Sequence, residues 1–347
     1  MTALREGFTT GSCAAACALA SCLWQRDGVC PGQVELTLPE GRAYMPEIHP
    51  LSLYRCAVYK DSGDDPDITK DSEVWAQVQL LPDGPVRFIA GEGVGTVTLP
   101  GLKVPVGEPA INPVPRRMIA EAVGSVFPGR GAIVTVGITG GRELAQRTFN
   151  PRLGIVGGLS ILGTTGVVRP MSEEALTDTI RLELAVRKAN GAAAIALVFG
   201  SQGEEALRKL KPHLPCVQIS NYVGFALDAA AELAFDRVLL AGQPGKLCKV
   251  AGGSMQTHSR YGDGRKEPVC AHLALLGAPM ELLRAVMNSP TLDGVITPIG
   301  QAGYSAVWNS LCAAASRYCK ARVRNRLRVD TLLLDAGGQP IGGYKDE

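Results

Sequence analysis

The chain has 347 residues, of which 46% are hydrophobic and 20% charged, with a formal net charge of +2. That length implies about two domains, and the composition is that of an ordinary globular protein rather than a disordered or fibrous one. The near balance of charge argues against a dedicated nucleic-acid protein, yet leaves room for local arginine clusters that grip an anionic small molecule. No stretch is long and apolar enough to span a bilayer. The short apolar run behind Arg5 and Glu6 lacks the form of a secretory signal, so the expected compartment is the cytoplasm. Ten cysteines contain no C-x-x-C pair and are expected as small buried apolar side chains, with no protein-bound metal.

Residues 8–24, FTTGSCAAACALASCLW, pass from hydroxyls and a glycine into an apolar helix capped by Thr10 or Ser12. A Thr-Thr-Gly-Ser turn at such a start either caps the helix or holds an anion on its free N–H groups. Residues 33–38 and 53–59 read as strands. The acidic segment 60–73, KDSGDDPDITKDSE, is a loop broken by Gly63 and Pro66. It lacks the residue order of a calcium loop. It is either a solvated turn or a loop that turns one or two carboxylates toward an active site. Strands follow at 74–80 and 86–90. GEGVGTVTLPGL (91–102) fails as a nucleotide fingerprint because a strand-like VTL, not a helix, comes next. PAINPVPRRMIAEAV (109–123) leads into a helix beginning near Arg116. Arg116 and Arg117 sit in its first turn, where cations are unfavourable unless they meet an anion.

From residue 130 the pattern changes. AIVTVGI (132–138), AAAIALVF (192–199), CVQIS (216–220) and RVLLA (237–241) are buried strands. They end in Thr139-Gly140-Gly141, Gly200-Ser201-Gln202-Gly203, Asn221-Tyr222-Val223-Gly224 and Gly242-Gln243-Pro244-Gly245-Lys246. Strand, glycine turn and helix in repetition predict a parallel doubly wound sheet, with ligands outside the C-terminal strand ends. Gly245-Lys246 is not a phosphate loop, since the rest of that motif is missing. Between the first two strands lies TFNPRLGIVGGLSILGTTGVVRPMS (148–172). Its glycines and the hydroxyls of Thr164 and Thr165 make it either a site-forming loop or a buried crossover before a helix capped by Ser172.

The loop 251–265 carries His258 and Asp263, a candidate acid/base pair; the alternative is a surface histidine with a structural hydrogen bond. Helices follow within 270–287 and 305–322. VDTLLLD (329–335) is a strand that needs a host sheet, and the first domain is the expected one. The expected class is α/β. An α+β domain is built from 1–128 together with 250–347, and a Rossmann-like doubly wound domain from 129–249.

LREGFTTGSCAAA (4–16), KDSGDDPDIT (60–69), GEGVGTVTLPGL, PAINPVPRRMI (109–119), the 148–172 segment, NYVG (221–224) and GKLCKVAGGSMQTHS (245–259) occur in this order along almost the whole chain. In them the sequence closely resembles the cobalt-precorrin-5B C-1 methyltransferases of anaerobic cobalamin biosynthesis. Gln256 stands where that family has asparagine, and Tyr261-Gly262-Asp263 where it often has Ala-Asp. The resemblance implies methyl transfer from S-adenosylmethionine to C-1 of cobalt-precorrin-5B, giving cobalt-precorrin-6A. Cobalt then belongs to the substrate, no nucleic acid or membrane takes part, and a homo-oligomer is left open.

It further implies that the discontinuous α+β domain binds the tetrapyrrole. Thr9, Thr10, Ser12, Arg116, Arg117, Arg142, Arg147, Arg152, Lys246 and Lys249 are then candidates to hold its carboxylates. S-adenosylmethionine is expected near Gly200, Ser201, Gly203, Asn221, Tyr222 and Gly224, with Gly163, Thr164 and Thr165 as another wall. Asp64 or Asp65 is a candidate base or ring-nitrogen acceptor. His258 is a candidate base or cobalt contact, with Asp263 beside it. The rival readings are a non-catalytic carrier of a corrinoid or of S-adenosylmethionine, and a nucleotide-dependent transferase on the same sheet.

Overall fold

Residues 13–20, CAAACALA, present no polar face to water. In the computed structural model, which describes residues 4–347, they form the buried centre of helix α1 (Thr10–Asp27). Gly28, left-handed at φ 77°, ends the helix and donates its N–H to Trp24. The chain divides into two compact units, Met1–Glu173 and Glu174–Glu347, each with its own apolar core.

The first unit holds β1 (Gly7–Phe8), β2 (Leu36–Thr37), β3 (Ala43–Tyr44), β4 (His49–Ser52), β5 (Arg55–Tyr59), β6 (Glu73–Leu81), β7 (Val86–Ala90) and β8 (Thr96–Val97). Helix α2 (Pro113–Val126), β9 (Gly131–Ile138), α3 (Gly141–Ala145), β10 (Ile155–Val156) and β11 (Val167–Val168) complete it. The main sheet runs β4-β5-β6-β9-β7, antiparallel except where β7 lies parallel to β9. Helix α1 packs against β5, β6 and α2. Its small side chains permit that close approach, and the Cys17 thiol donates to the Val74 carbonyl at 3.3 Å.

Strand 132–138, expected to open the parallel sheet, is instead a central strand here, hydrogen-bonded to β6 and β7. The reason lies in its alternation. Ala132, Val134, Val136 and Ile138 are fully buried while Ile133 and Thr135 are half-buried, the pattern of a sheet whose two faces are unequally covered. Gly137 lies opposite Trp75, and a Cβ there would come within 2.2 Å of the indole.

The second unit contains α4 (Glu173–Ala189), β12 (Ala194–Val198), α5 (Ser201–Leu210), β13 (Cys216–Gln218), α6 (Val223–Glu232), β14 (Arg237–Gly242) and α7 (Pro244–Ala251). Then come α8 (Lys266–Leu275), α9 (Met280–Asn288), α10 (Asp293–Gln301), α11 (Ala306–Arg322), β15 (Arg328–Leu334) and β16 (Pro340–Tyr344). The sheet order is β13-β12-β14-β15-β16. The first four strands are parallel and β16 is antiparallel.

Strand 329–335 therefore does not return to the first unit. It is the fourth parallel strand, tied to α11 through Ser316 to the Val329 carbonyl (2.6 Å) and Thr331 to the Cys312 carbonyl (2.8 Å). Arg237 and Asp330 pair across β14 and β15 at 2.7 Å. The discontinuous domain of 1–128 with 250–347 is thus replaced by two contiguous units, because β9 and β15 exchange the sheets expected for them. The architecture is mixed α/β, and no helix among the described residues is long and apolar enough to cross a membrane.

Candidate functional site

In the second unit the strand order reverses between β12 and β14, and the C-terminal strand ends there form the candidate site, since open α/β sheets bind ligands at such a reversal. Asn221, just past β13, is its polar centre. Its side-chain oxygen accepts from the Lys246 ammonium and, at 3.1 Å, from the Thr257 hydroxyl. The Thr257 N–H donates to the Asn221 carbonyl at 3.1 Å. Lys246 Nζ lies 5.9 Å from the Phe199 ring centroid, and Gln243 donates to Gln202 at 3.4 Å. Burial, with the nearby Lys249 charge adding to it, holds the Lys246 ammonium below the usual lysine pKa. Burial and then Tyr261 push the Tyr222 phenol up.

Lys249 is 6% exposed and anchors the loop that follows. Its ammonium donates to the carbonyls of Thr257 (3.2 Å) and Gly262 (3.0 Å) and lies 3.7 Å from Asp263. Asp263 also pairs with Arg265 at 2.9 Å. His258 projects from this loop into solvent. Its Nδ1 accepts the Arg260 N–H at 3.1 Å, so the neutral ring carries its proton on Nε2. In that tautomer the outward nitrogen of His258 is a donor.

The glycines at these turns differ. A Cβ on Gly200 or Gly245 would meet nothing within 4 Å, so both border open space beside Ser201 and Lys246. A Cβ on Gly203, in α5, would reach only the end of the preceding strand β12, 3.6 Å from Val198. At Gly224 it would crowd Arg322 Nε (2.9 Å) and Met255 Cβ (3.0 Å). Gly224 is thus closely packed, unlike Gly200 and Gly245.

In the first unit the 148–172 segment is a crossover of alternating buried and exposed residues. Strand β10 pairs with β8, β11 pairs with β1, and Ile161 bridges to Ile111. Thr9, not Thr10 or Ser12, is the N-cap of α1, accepting from the Ser12 N–H at 3.2 Å. Gly11 N–H donates to the Leu162 carbonyl (3.0 Å), the Leu162 N–H to the Thr10 hydroxyl (3.0 Å), and the Ser12 hydroxyl to the Gly166 carbonyl (2.6 Å). The chain's own carbonyls thus fill the anion site expected at Thr9, Thr10 and Ser12, and all three residues are buried. Gly163 serves the same contact, since a Cβ on it would lie 2.3 Å from the Thr9 hydroxyl. Thr165 caps its own turn through Val167 (3.2 Å), and Thr164 is exposed.

The arginines also separate. Arg116 is committed to the carbonyls of Ile111 (2.8 Å) and Pro109 (2.9 Å) and to Glu108 (3.2 Å), so it holds the 108–111 turn. Arg117 is 60% exposed, with Glu121 at 3.8 Å. Arg142 and Arg147 are exposed, and Arg152 lies 5.6 Å from the Phe149 ring centroid.

The acidic loop belts the N-terminal segment. Arg5 forms a two-pronged pair with Asp61 and donates its N–H to Asp64 at 2.6 Å. Asp65 accepts the Met171 N–H at 3.1 Å. Beneath them Lys60, 1% exposed, donates to Asp67 (2.6 Å) and Ser62 (2.5 Å). The Asp67 carboxyl is opposed by burial, which raises its pKa, but Lys60 and the Thr69 donors bring it below the usual value. Phe199, Gln202, Gln243 and the Lys60–Asp67 pair join the site only in the fold. Their sequence signals are a place at or just past a strand end and a lysine beside an acidic run. Among the described residues no group of three His, Cys, Asp or Glu side chains is placed to hold a metal ion.

Residues 1–170 match the CbiD family model and residues 256–345 the model of the CbiD C-terminal domain. The chain is 40% identical to the cobalt-precorrin-5B C(1)-methyltransferase of Alkaliphilus metalliredigens, over 95% of this chain and 89% of that protein. It is 42% identical to the enzyme of the same name from Desulfitobacterium hafniense, over 97% of this chain and 89% of that one. A crystal structure of cobalamin biosynthesis protein (cbiD) from Archaeoglobus fulgidus is 28% identical, covering 72% of this chain and 80% of that chain with a TM-score of 0.41.

Proposed function

We propose, for a chain that belongs to the CbiD family, that it methylates C-1 of cobalt-precorrin-5B with S-adenosylmethionine, giving cobalt-precorrin-6A in anaerobic cobalamin biosynthesis. The observation that carries this is identity of about 40% spread over 95% of the chain, and hence over both units.

The second unit, read as a Rossmann-like doubly wound sheet, is the proposed donor site. Support comes from the strand reversal at β12 and β14 and from the open space at Gly200 and Gly245, which fits a bulky nucleoside. Gly200, Ser201, Asn221 and Tyr222 are the residues we assign to hold it. When bound, the sulfonium supplies a methyl that is already activated. The protein's share of the work is then to orient the reactants and exclude water.

The first unit is the proposed macrocycle site. Arg117, Arg147 and Arg152 are assigned to the substrate's acetate and propionate carboxylates, which arginine grips in a planar fork. Phe149, Val156 and Leu162 leave apolar side chains exposed on the same crossover, suited to a flat ring. Asp64 is exposed and engages one oxygen with the Arg5 N–H, which leaves the other to accept a proton. His258 is assigned as a hydrogen-bond donor from Nε2.

The test is a single turnover with isotopically labelled donor methyl and anaerobically prepared cobalt-precorrin-5B, the product carbon being located by NMR. Label at C-1 is the expected result. Tight binding of both ligands without transfer would point to the carrier.

A further inference from the structure

We propose that Lys246 recognises the carboxylate at the methionine end of the methyl donor, and so sets which way round the donor lies at the edge of the parallel sheet. This rests on the donor site assigned above.

Lys246 is half-buried, and its hydrogen-bond partner, the Asn221 side-chain oxygen, is neutral. Among the described residues it forms no ion pair. Other lysines withdrawn from solvent are treated differently. Lys60 meets Asp67 at 2.6 Å, Lys320 meets Asp346 at 2.7 Å, and Lys249 combines two carbonyls with Asp263 at 3.7 Å. A desolvated ammonium without a counter-charge is costly, and a ligand anion relieves that cost. Lys249 does not help, since its own positive charge works against the Lys246 ammonium.

The surroundings select a carboxylate. Asn221 presents its oxygen to Lys246 and Thr257, so its amide nitrogen is left to donate beside the ammonium. An ammonium and an amide N–H side by side match the two oxygens of one carboxylate. Gly245, next to Lys246, borders open space through which that group can enter.

A carboxylate could come from the donor or from the rim of the macrocycle. The donor is favoured because Lys246 stands with Phe199, Gly200 and Asn221 at the strand reversal, where open α/β sheets bind nucleoside ligands. Lys246 accordingly moves from the substrate clamp to the donor site.

The experiment is calorimetric titration of the whole protein and of Lys246→Met with two probes. S-adenosylhomocysteine keeps the carboxylate, and decarboxylated S-adenosylmethionine lacks it. The variant should bind S-adenosylhomocysteine roughly 10- to 100-fold more weakly, the loss of one charge-assisted contact. It should bind the decarboxylated probe as the parent does, which also shows that the variant is folded. Equal losses for both probes, or no loss for either, overturn the proposal. So does unchanged S-adenosylhomocysteine binding with weakened macrocycle binding, which would return Lys246 to the substrate clamp. Failure of the unaltered protein to bind either probe would remove the donor site itself, a result distinct from all of these.

Discussion

His258 shows how one backbone contact restricts a side chain's chemistry. With Nδ1 occupied by the Arg260 N–H, the ring offers a donor at Nε2. His258→Ala should lower methyl transfer by about 100-fold, the scale of losing one oriented donor at a reacting centre. His258→Gln carries an amide donor of similar reach and should recover most of that loss. Both variants should melt within a degree or two of the parent, because the residue is exposed. A glutamine variant as inactive as alanine, together with loss of the acid limb of the pH–rate profile, would make His258 a base. Glycines make a parallel case. Gly163 and Gly200 both sit in Gly-hydroxyl turns. Yet Gly163 has φ 135° and presses on Thr9, whereas Gly200 is extended at φ −177° beside open space. Gly163→Ala should cost about 2–4 kcal/mol in chemical denaturation. Gly200→Ala should leave stability within about 0.5 kcal/mol and weaken donor binding. Neither outcome is legible from composition, since the difference is what stands opposite each Cα.

The acidic loop, together with the elements it fastens, decides whether its carboxylates are structural or chemical. Lys60 is buried and has Asp67 as its anionic partner. Asp67→Asn leaves that ammonium without a counter-charge and should destabilise the protein by about 3–5 kcal/mol in urea. The pH dependence follows from the same pair. The folded pKa of Asp67 lies below its unfolded value. Its contribution is therefore complete above the ordinary carboxylate range and is lost as pH falls through the depressed folded value. Melting temperature should drop between about pH 4 and pH 2, more steeply in the parent than in Asp67→Asn. The loop was recognisable from Gly63, Pro66 and its density of aspartates. Its partners were not, because Arg5 and Met171 reach it from far along the chain.

The two units set what can fold by itself. A fragment ending at 128 lacks β9, which pairs with both β6 and β7, and should remain unfolded. A fragment ending at 173 retains it and should show one cooperative thermal transition by circular dichroism. Equal folding of both fragments would mean that β9 is dispensable to the first core. What the sequence by itself determined was local. It specified the buried α1, the acidic and glycine turns, and a run of short strands each followed by a helix. It also carried the family, because the motifs are contiguous words that need no folding to be read. Only the tertiary structure decided which sheet each strand joins, that the start of α1 is sealed by Leu162 and Gly166, and that Lys246 stands by Asn221 with no carboxylate partner among the described residues. The physical reason is that every strand carries the same backbone donors and acceptors. Partners are chosen by which faces and side chains become covered, and those contacts join residues far apart in the chain.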